Sequence, residues 1–247
     1  MRKTKRKRIN QNKVTVILSF LFMLTVGSCI LLSSSIFKVK QIDVKGNKEC
    51  TKQEIINDLG FCLDKNIFRN KTGDIKDKLM ENSYIDKVEI ARKLPDKLIV
   101  NIKERKPIAL LRNNGKNCLI DDKGNFLKKV VDLDENKDKV VVDVDYYINK
   151  EKKIGFKNEH HGKRLFYLLE CLKKSNVYKQ IDKVDLMEKE DILIVSRNKV
   201  KILLPDNDRL DYNVSRLNSI LVDLQNKNIS NGTINLSYDK CAIYTPE

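Results

Sequence analysis

VTVILSFLFMLTVGSCILLSSSI, residues Val14–Ile36, is a run of 23 amino acids without a single charged side chain. As a helix rising ~1.5 Å per residue it would extend roughly 35 Å, enough to cross a bilayer core of ~30 Å. Seven Lys and Arg, and no acid, precede it in residues 1–13. Because basic flanks stay in the cytoplasm, we predict a cytoplasmic tail at 1–13, a single transmembrane helix at 14–36, and an extracytoplasmic remainder from Phe37.

Three other interpretations of this stretch have less support than a membrane anchor. A cleaved signal peptide has a shorter apolar region and an A-x-A-like site, whereas Ser33–Ser35 is a poor cleavage site. The segment Val26–Cys29 loosely resembles a lipid-attachment box, but Ile30–Leu32 continue the apolar run beyond the cysteine. A buried core helix does not account for so long an uncharged run beside a basic block.

The positive charge of the chain is dispersed. The formal net charge is +15, and with seven of these charges in residues 1–13 only +8 remains on the rest, where Lys is interspersed with Asp and Glu. Such a pattern is typical of a solvated surface, and we predict no nucleic-acid partner. The alternative is a basic patch, whose partners outside a membrane would be anionic wall polymers or lipid headgroups.

The six cysteines do not form a recognisable framework. Cys29 lies in the apolar stretch, and the other five are Cys50, Cys62, Cys118, Cys171 and Cys241. An odd external number without regular spacing argues against a disulfide scaffold, although pairing of Cys50 with Cys62 stays open. No Cys-x-x-Cys occurs, so no zinc or redox site is predicted.

The first external segment, residues 37–106, predicts the order β-α-α-β-β. Ile42 and Val44 alternate with charged residues as in a half-buried strand. A capping-box pattern, Thr51-x-x-Glu54, opens a helix that Gly60 ends, and a second helix is expected near 74–81. Strands then flank the Pro-Asp turn of Leu94–Asp96. We interpret Glu104 and Arg105, where the last strand ends, as members of weak surface ion pairs rather than as binding residues.

The second external segment, residues 107–247, predicts an α+β domain on a mainly antiparallel sheet. Strands are expected at 108–112, 116–120, 140–144, 181–186, 192–196, 200–204, 233–236 and 241–244. Leu165, Leu168, Leu169 and Leu172 follow the i, i+3, i+4, i+7 spacing of an amphipathic helix. A last helix begins near Asp211, and almost no tail follows the final strand.

Two stretches carry a family resemblance. The run Phe37–Asn47 (FKVKQIDVKGN) resembles the opening strand of a POTRA domain in the FtsQ/DivIB family of bacterial cell division proteins. The stretch Val88–Ala109, with a Leu-Pro turn, a strand and then Glu104-Arg105-Lys106-Pro107, is even more similar to that family. Cys118–Gly124 is similar to the hairpin that opens the family's β domain. The resemblance implies a POTRA domain at 37–106 and a β domain at 107–247.

The resemblance also implies partners and a location. It implies a single-pass protein of the cytoplasmic membrane at the division septum, which binds FtsB (DivIC in many Gram-positive bacteria) and FtsL and has septal peptidoglycan synthases as further candidate partners. The family's I-D-L-R-Y segment matches Ile234–Tyr238, with Asn235 and Ser237 replacing its charged residues, and carries Tyr238 over as a contact. Because a final strand tends to leave a free sheet edge, we predict that the partner-binding residues are Leu236, Ser237, Tyr238, Cys241, Ala242, Ile243 and Tyr244.

Catalysis has little support in the sequence. His160 and His161 are the only histidines, and neighbours in a helix point apart. Cys118, His161 and Arg164 are the residue types of a sortase-like catalytic site, but no local sequence pattern supports such a site. The sequence also contains no glycine-rich phosphate-binding loop. We predict no enzyme, no cofactor and no metal. The alternatives are a tethered wall-remodelling enzyme and a POTRA-type chaperone or transport module.

Overall fold

The computed structural model describes residues 11–187, 191–238 and 241–246, so most of the predicted basic tail lies outside the described residues. The chain divides into two compact units, Met1–Glu104 and Arg105–Glu247. Each is an assembly of helices and strands, and each is described by itself below.

Helix α1 (Gln11–Leu32) contains most of the apolar stretch, and among the described residues it is the one helix long and apolar enough to cross a membrane. It ends before Ile36, so the predicted helix is too long at its C-terminal end. The Ser33 N–H still bonds the Cys29 carbonyl at 3.1 Å, after which a 3₁₀ turn forms at Ser35–Phe37. Consecutive serines favour this end because serine has a lower helix propensity than leucine.

The rest of the first unit has the predicted order β-α-α-β-β. Its elements are β1 (Gln41–Lys45), α2 (Lys52–Asp58), α3 (Thr72–Met80), β2 (Ile85–Lys93) and β3 (Lys97–Glu104). The predicted capping box of α2 is confirmed, because the Thr51 hydroxyl accepts the Glu54 N–H at 3.2 Å and the Glu54 carboxylate accepts the Thr51 N–H at 2.9 Å.

The three strands form a sheet in the order β1-β3-β2, with β1 parallel and β2 antiparallel to β3. Leu98, Val100 and Ile102 on the central strand are buried, as their alternation predicts. Ile75 and Leu79 of α3 are buried as well. Apolar burial on one side of a three-stranded sheet by two short helices is what makes a unit this small stable.

The interpretation of Glu104 and Arg105 as weak surface ion pairs is wrong. The Glu104 carboxylate accepts the backbone N–H groups of Lys48, Glu49 and Cys50, at 2.9, 2.8 and 3.0 Å. Each distance is that of a hydrogen bond, and each bond is charge-assisted because its acceptor is a carboxylate. In the second unit, the Arg105 guanidinium lies 3.2 Å from the carboxylate of Asp121, whose side chain is only 3% exposed. Both side chains hold turns of the backbone.

The second unit contains eleven strands and two helices in the part that is described. The strands are β4 (Ala109–Asn113), β5 (Lys116–Ile120), β6 (Phe126–Val130), β7 (Val140–Asp143), β8 (Tyr146–Ile148), β9 (Ile154–Phe156), β10 (Ile181–Asp185), β11 (Asp191–Ser196), β12 (Lys201–Pro205), β13 (Thr233–Asn235) and β14 (Ile243–Thr245). The helices are α4 (Glu159–Lys174) and α5 (Leu210–Asn226). Strands β6, β8 and β9 were not predicted.

Nine of these strands form one sheet in the order β14-β13-β12-β11-β10-β7-β4-β5-β6. Five neighbouring pairs are antiparallel, and β12–β13, β10–β7 and β4–β7 are parallel. The predicted α+β class on a mainly antiparallel sheet is therefore confirmed.

Both helices place their apolar stripes in one hydrophobic core. Leu165, Leu168, Leu169 and Leu172 of α4 are buried there, as their spacing predicts, together with the leucines of α5. The inward-facing residues of the sheet, such as Ile194 and Ile202, complete the core. Because successive strand residues point to opposite faces, the intervening residues, such as Leu193 and Leu203, lie on a second face. Among the described residues, neither α4 nor α5 places its apolar stripe there, and we call it the helix-free face.

Candidate partner-binding edge

Strand β14 is the outermost strand at one side of the nine-stranded sheet. It pairs antiparallel with β13, through Thr233 opposite Thr245, Ile234 opposite Tyr244 and Asn235 opposite Ile243. It begins at Ile243, two residues later than predicted. The position confirms the expectation that the final strand lies at a sheet edge, with one side that pairs with no other described strand.

The register identifies which backbone groups of β14 are unpaired. Between β12 and β13, Lys201 N–H donates to Gly232 C=O and Leu236 N–H donates to Leu203 C=O, so even-numbered residues of β13 face β12. Odd-numbered Thr233 and Asn235 therefore face β14 and bond their partners there, because backbone groups alternate along a strand. It follows that the N–H and C=O of Tyr244 point away from the sheet.

The ring of Tyr244 fixes this edge against the turn before β13. Its hydroxyl donates to the Asn231 carbonyl at 2.5 Å, and the half-buried ring packs on the hydrophobic core. Gly232 lies directly below the ring with φ of +114°, and a Cβ built there would lie 2.7 Å from the Tyr244 hydroxyl and from the Thr245 carbonyl oxygen. Glycine is needed here both for its backbone conformation and for the close approach.

The segment that leaves β13 contains the residues carried over by resemblance. The Tyr238 side chain is 51% exposed, whereas Leu236 is only 1% exposed and belongs to the core. Ser237 is exposed, and its hydroxyl donates to the Asp191 carboxylate at 3.0 Å. The Asn235 side chain accepts the Ser237 N–H at 2.8 Å, so the two residues that replace the family's charged pair stabilise a local turn.

The remaining predicted residues lie at or next to β14. Cys241 and Ala242 are exposed, Ile243 is 43% exposed, and Tyr244 is half-buried. Tyr238, Ala242 and Ile243 thus offer side chains to solvent beside the unpaired backbone of Tyr244. Leu236 supports the edge from within the core.

The helix-free face continues from this edge into the sheet. The strand registers place Leu193, Leu203, Asn235 and Ile243 in one row across β11, β12, β13 and β14. Leu193 and Leu203 are only partly buried. Sequence reasoning missed this surface, although a signal exists: both alternate sets of residues in DILIVS and KILLP are largely apolar, which is typical of strands covered on both faces.

A charged cluster lies further along the same row. Arg112 donates to both oxygens of Asp143, at 2.5 and 2.8 Å, and Lys183 Nζ lies 2.6 Å from Asp143 and 3.2 Å from Asp185. The Asp143 side chain is 12% exposed. Burial acts to raise the pKa of Asp143, but hydrogen bonds from Arg112 and Lys183 outweigh burial and hold the pKa below its ordinary value of 3.8. The carboxylate is therefore ionised and paired at neutral pH.

Of the residues considered for catalysis, Cys118 is buried, and Arg164 and His160 contact a carboxylate. Cys118 is 1% exposed, and burial raises the pKa of its thiol to about 11, so the reactive thiolate is disfavoured. Arg164 bonds the Asp206 carboxylate and the Asn207 carbonyl, and His160 Nε2 lies 2.8 Å from Asp206. Among the described residues, no group of three or more His, Cys, Asp or Glu is placed to hold a metal ion.

Comparisons with known proteins agree with this architecture. A family model described as the POTRA domain, FtsQ-type, matches residues 37–105. The cell division protein DivIB of Clostridium tetani (strain Massachusetts / E88) is 31% identical over 208 residues, which cover 82% of this chain and 77% of that protein. DivIB of Clostridium botulinum (strain Loch Maree / Type A3) is 25% identical over 244 residues, 96% of this chain and 91% of that protein.

Among solved structures, the major extracytoplasmic domain of the trans isomer of DivIB from Geobacillus stearothermophilus is similar at a TM-score of 0.35 and 12% identity, covering 50% of this chain and 97% of that one. The fold and the matched segments together define a POTRA-containing α+β protein with an apolar N-terminal helix. Because the chain is 31% identical to DivIB from Clostridium tetani over 82% of its length, it belongs to the FtsQ/DivIB family of bacterial cell division proteins.

Proposed function

We propose that this protein is a non-catalytic scaffold of the division machinery that binds FtsB/DivIC and FtsL outside the membrane. In this role it helps to organise or regulate septal peptidoglycan synthesis. The observation that carries the proposal is the unpaired side of β14, where the Tyr244 N–H and C=O point away from the sheet. Partner recognition occurs by addition of a strand to this edge.

Strand addition suits the geometry of the edge. The partner's main chain bonds the outward groups of Tyr244 and continues the ladder along Ala242, while its side chains on the helix-free face contact Ile243 of the neighbouring strand. Tyr238 is the anchor candidate at the end of the strand, because tyrosine buries a large area with little loss of conformational entropy. Its exposure of 51% in the free protein leaves that area to be buried on binding.

The proposed membrane topology of the protein follows from α1. The basic residues before it remain in the cytoplasm, α1 crosses the membrane, and residues from Phe37 lie outside, at the division septum. The burial of Cys118 and the engagement of Arg164 with Asp206 support the non-catalytic part of the proposal.

A binding experiment tests the proposal. The full chain in detergent is incubated with the external segments of FtsB/DivIC and FtsL, beside the variants Tyr238→Ala and Ala242→Pro. Proline at 242 keeps the β13 pairing of Ile243 and Thr245 but removes an outward N–H. We expect both variants to weaken binding, and Tyr147→Ala, which changes another tyrosine of similar exposure (55%), to leave it intact.

Equal binding by all four proteins would contradict recognition at this edge. A separate incubation with peptidoglycan addresses catalysis, because release of soluble fragments by the purified chain would contradict the scaffold role.

A further inference from the structure

The loop between α2 and α3 lies directly against the end of the apolar helix. The Asn66 side-chain amide donates to the Leu32 carbonyl, in the last turn of α1, at 2.7 Å. The backbone pairs here as well: Ile67 N–H donates to Phe37 C=O at 2.8 Å, and Val39 N–H donates to Lys65 C=O at 2.9 Å. Because Phe37 is five residues beyond Leu32, the chain between them spans at most about 17 Å.

Apolar side chains are exposed on this same loop and on the neighbouring turn. Phe61 is 40% exposed, Phe68 is 44% exposed, and Leu94, in the turn between β2 and β3, is 55% exposed. That turn is at the same end of the unit, because the Asp96 carbonyl accepts the Lys40 N–H at 2.9 Å. Three large apolar side chains thus point to solvent where the chain leaves the apolar helix.

Basic side chains accompany the apolar ones. Lys65 and Arg69 are exposed on the loop, and the Lys65 ammonium lies over the Phe61 ring, 5.8 Å from its centroid. Phenylalanine and leucine side chains accompanied by Lys and Arg are typical of segments that lie at the membrane–water interface. We call Phe61, Lys65, Phe68, Arg69 and Leu94 the juxtamembrane surface.

The loop is held rigidly by hydrogen bonds, which keep its phenylalanines in place. The Arg92 side chain donates to the Ile67 carbonyl at 3.0 Å and to the Asn70 carbonyl at 2.8 Å. Asn70 is 5% exposed, and its amide donates to the Cys62 carbonyl at 3.1 Å. The Phe68 ring also packs on Phe37, with centroids 5.4 Å apart. The aromatic exposure therefore belongs to a preorganised loop.

We propose that the juxtamembrane surface docks on the outer leaflet of the membrane, with Phe61, Phe68 and Leu94 at the boundary of headgroups and acyl chains and with Lys65 and Arg69 on anionic headgroups. The inference rests on the proposed anchoring of α1 and goes beyond it: the first unit is oriented on the membrane by a second contact. The occupant is an anionic lipid surface, because α1 brings that surface within reach of the loop.

The absence of tryptophan from the sequence gives a direct test. Phe68→Trp and Phe61→Trp, made separately in the full chain, each introduce a single tryptophan into the surface. Met80→Trp is the matched control, because Met80 is 37% exposed at the end of α3. Strand β2 begins shortly after it, opposite Glu104, so Met80 lies at the other end of the sheet from the loop. Each protein is reconstituted into vesicles of phosphatidylglycerol and phosphatidylcholine that contain lipids brominated near the headgroup.

We expect both loop tryptophans to lose most of their emission, and Met80→Trp to keep it. Adding Lys65→Gln and Arg69→Gln to Phe68→Trp should lower the docking equilibrium about five-fold for each cation removed. Loop tryptophans quenched no more than Met80→Trp would overturn the proposal. So would loop tryptophans that the brominated lipids leave unquenched but whose emission changes when an acidic partner protein is added, since the surface would then be a protein-binding one.

Flotation of the vesicles tests membrane anchoring by α1 separately from docking of the juxtamembrane surface. A chain that floats with the vesicles but whose loop tryptophans are not quenched contradicts docking alone. A chain that does not float contradicts the anchor and, with it, the docking.

Discussion

The Glu104 carboxylate lies 3.0 Å from the backbone nitrogen of Cys50, from which it accepts a hydrogen bond although 54 residues separate the two in sequence. The same carboxylate accepts the N–H groups of Lys48 and Glu49. The end of β3 thereby holds the connection between β1 and α2. A side chain at the end of a strand determines the path of a distant turn.

We therefore predict that Glu104→Gln lowers the free energy of unfolding by about 1–3 kcal/mol, because a neutral amide offers one acceptor oxygen to three donors. Urea unfolding of the full chain in detergent measures the change. Glu89→Gln is the control, since Glu89 pairs with Lys87 on an exposed part of β2. Equal effects of the two substitutions would contradict the role given to Glu104.

The same group predicts a pH dependence. Partial burial acts to raise the pKa of Glu104, but the backbone donors outweigh burial, and the pKa lies below its ordinary value of 4.5. A carboxyl with a depressed pKa contributes stability above the unfolded-state value and loses it as the pH falls through the folded-state value. The difference between wild type and Glu104→Gln should therefore shrink below about pH 4.5.

The charged cluster on the helix-free face predicts a second stability effect. Asp143→Asn removes the shared anion of Arg112 and Lys183 and leaves two partly buried cations without it. We expect a loss of about 2 kcal/mol, below the full cost of breaking a buried pair because Arg112 and Lys183 keep some solvent contact. Unfolding of Asp145→Asn serves as control, because Asp145 pairs with Lys157 at 3.7 Å on a more exposed site. A larger effect at Asp145 would contradict this view of the cluster.

The positive φ of Gly232 predicts that a substitution there strains the backbone beside the partner-binding edge. Gly232→Ala places a methyl group against the Tyr244 ring at a φ of +114°, and we expect it to cost about 1–3 kcal/mol and to weaken partner binding. Unfolding and binding are measured together. Gly60→Ala should be neutral in both, because its Cβ would meet nothing within 4 Å. Normal binding by Gly232→Ala would show that Tyr244 does not position the edge.

Thiol labelling tests the exposure of the same edge. Cys241 is exposed, whereas Cys50, Cys62, Cys118 and Cys171 are buried. Cys29 is exposed on α1, which the proposed topology places in the membrane, beyond the reach of a charged reagent. Burial raises the pKa of Cys50 and of Cys62 to about 11. A charged maleimide should therefore modify Cys241 alone in the folded chain in vesicles, more slowly with partner bound, and not at all after Cys241→Ser. Rapid modification of any of the four buried cysteines would contradict the described burial.

Local signals accounted for much of the fold. The capping box at Thr51 and Glu54 and the leucine spacing of α4 depend on residues within one or two helical turns, so sequence alone identifies them. The apolar run predicted the start of α1 better than its end, where serines follow Leu32. Strands β8 and β9 have three residues each, too few to show a period.

What escaped prediction depends on pairing between distant segments. Nothing local to Asp143 reveals that β4 and β10 lie on either side of β7, so the burial of its carboxylate between Arg112 and Lys183 needed the structure. The family resemblance pointed to Tyr238, which is exposed, and equally to Leu236, which is in the core. Only the register of β12, β13 and β14 shows that the backbone of Tyr244 is the unpaired one.

Residue-resolved amide hydrogen exchange across β14, with and without FtsB/DivIC and FtsL, tests the central claim most directly. In the free protein the N–H groups of Ile243 and Thr245 should be protected by β13, and that of Tyr244 should exchange rapidly. Saturating partner should slow exchange at Tyr244 by about ten-fold or more while Ile243 and Thr245 stay protected. Unchanged exchange at Tyr244 in a saturated complex would contradict recognition by strand addition at this edge.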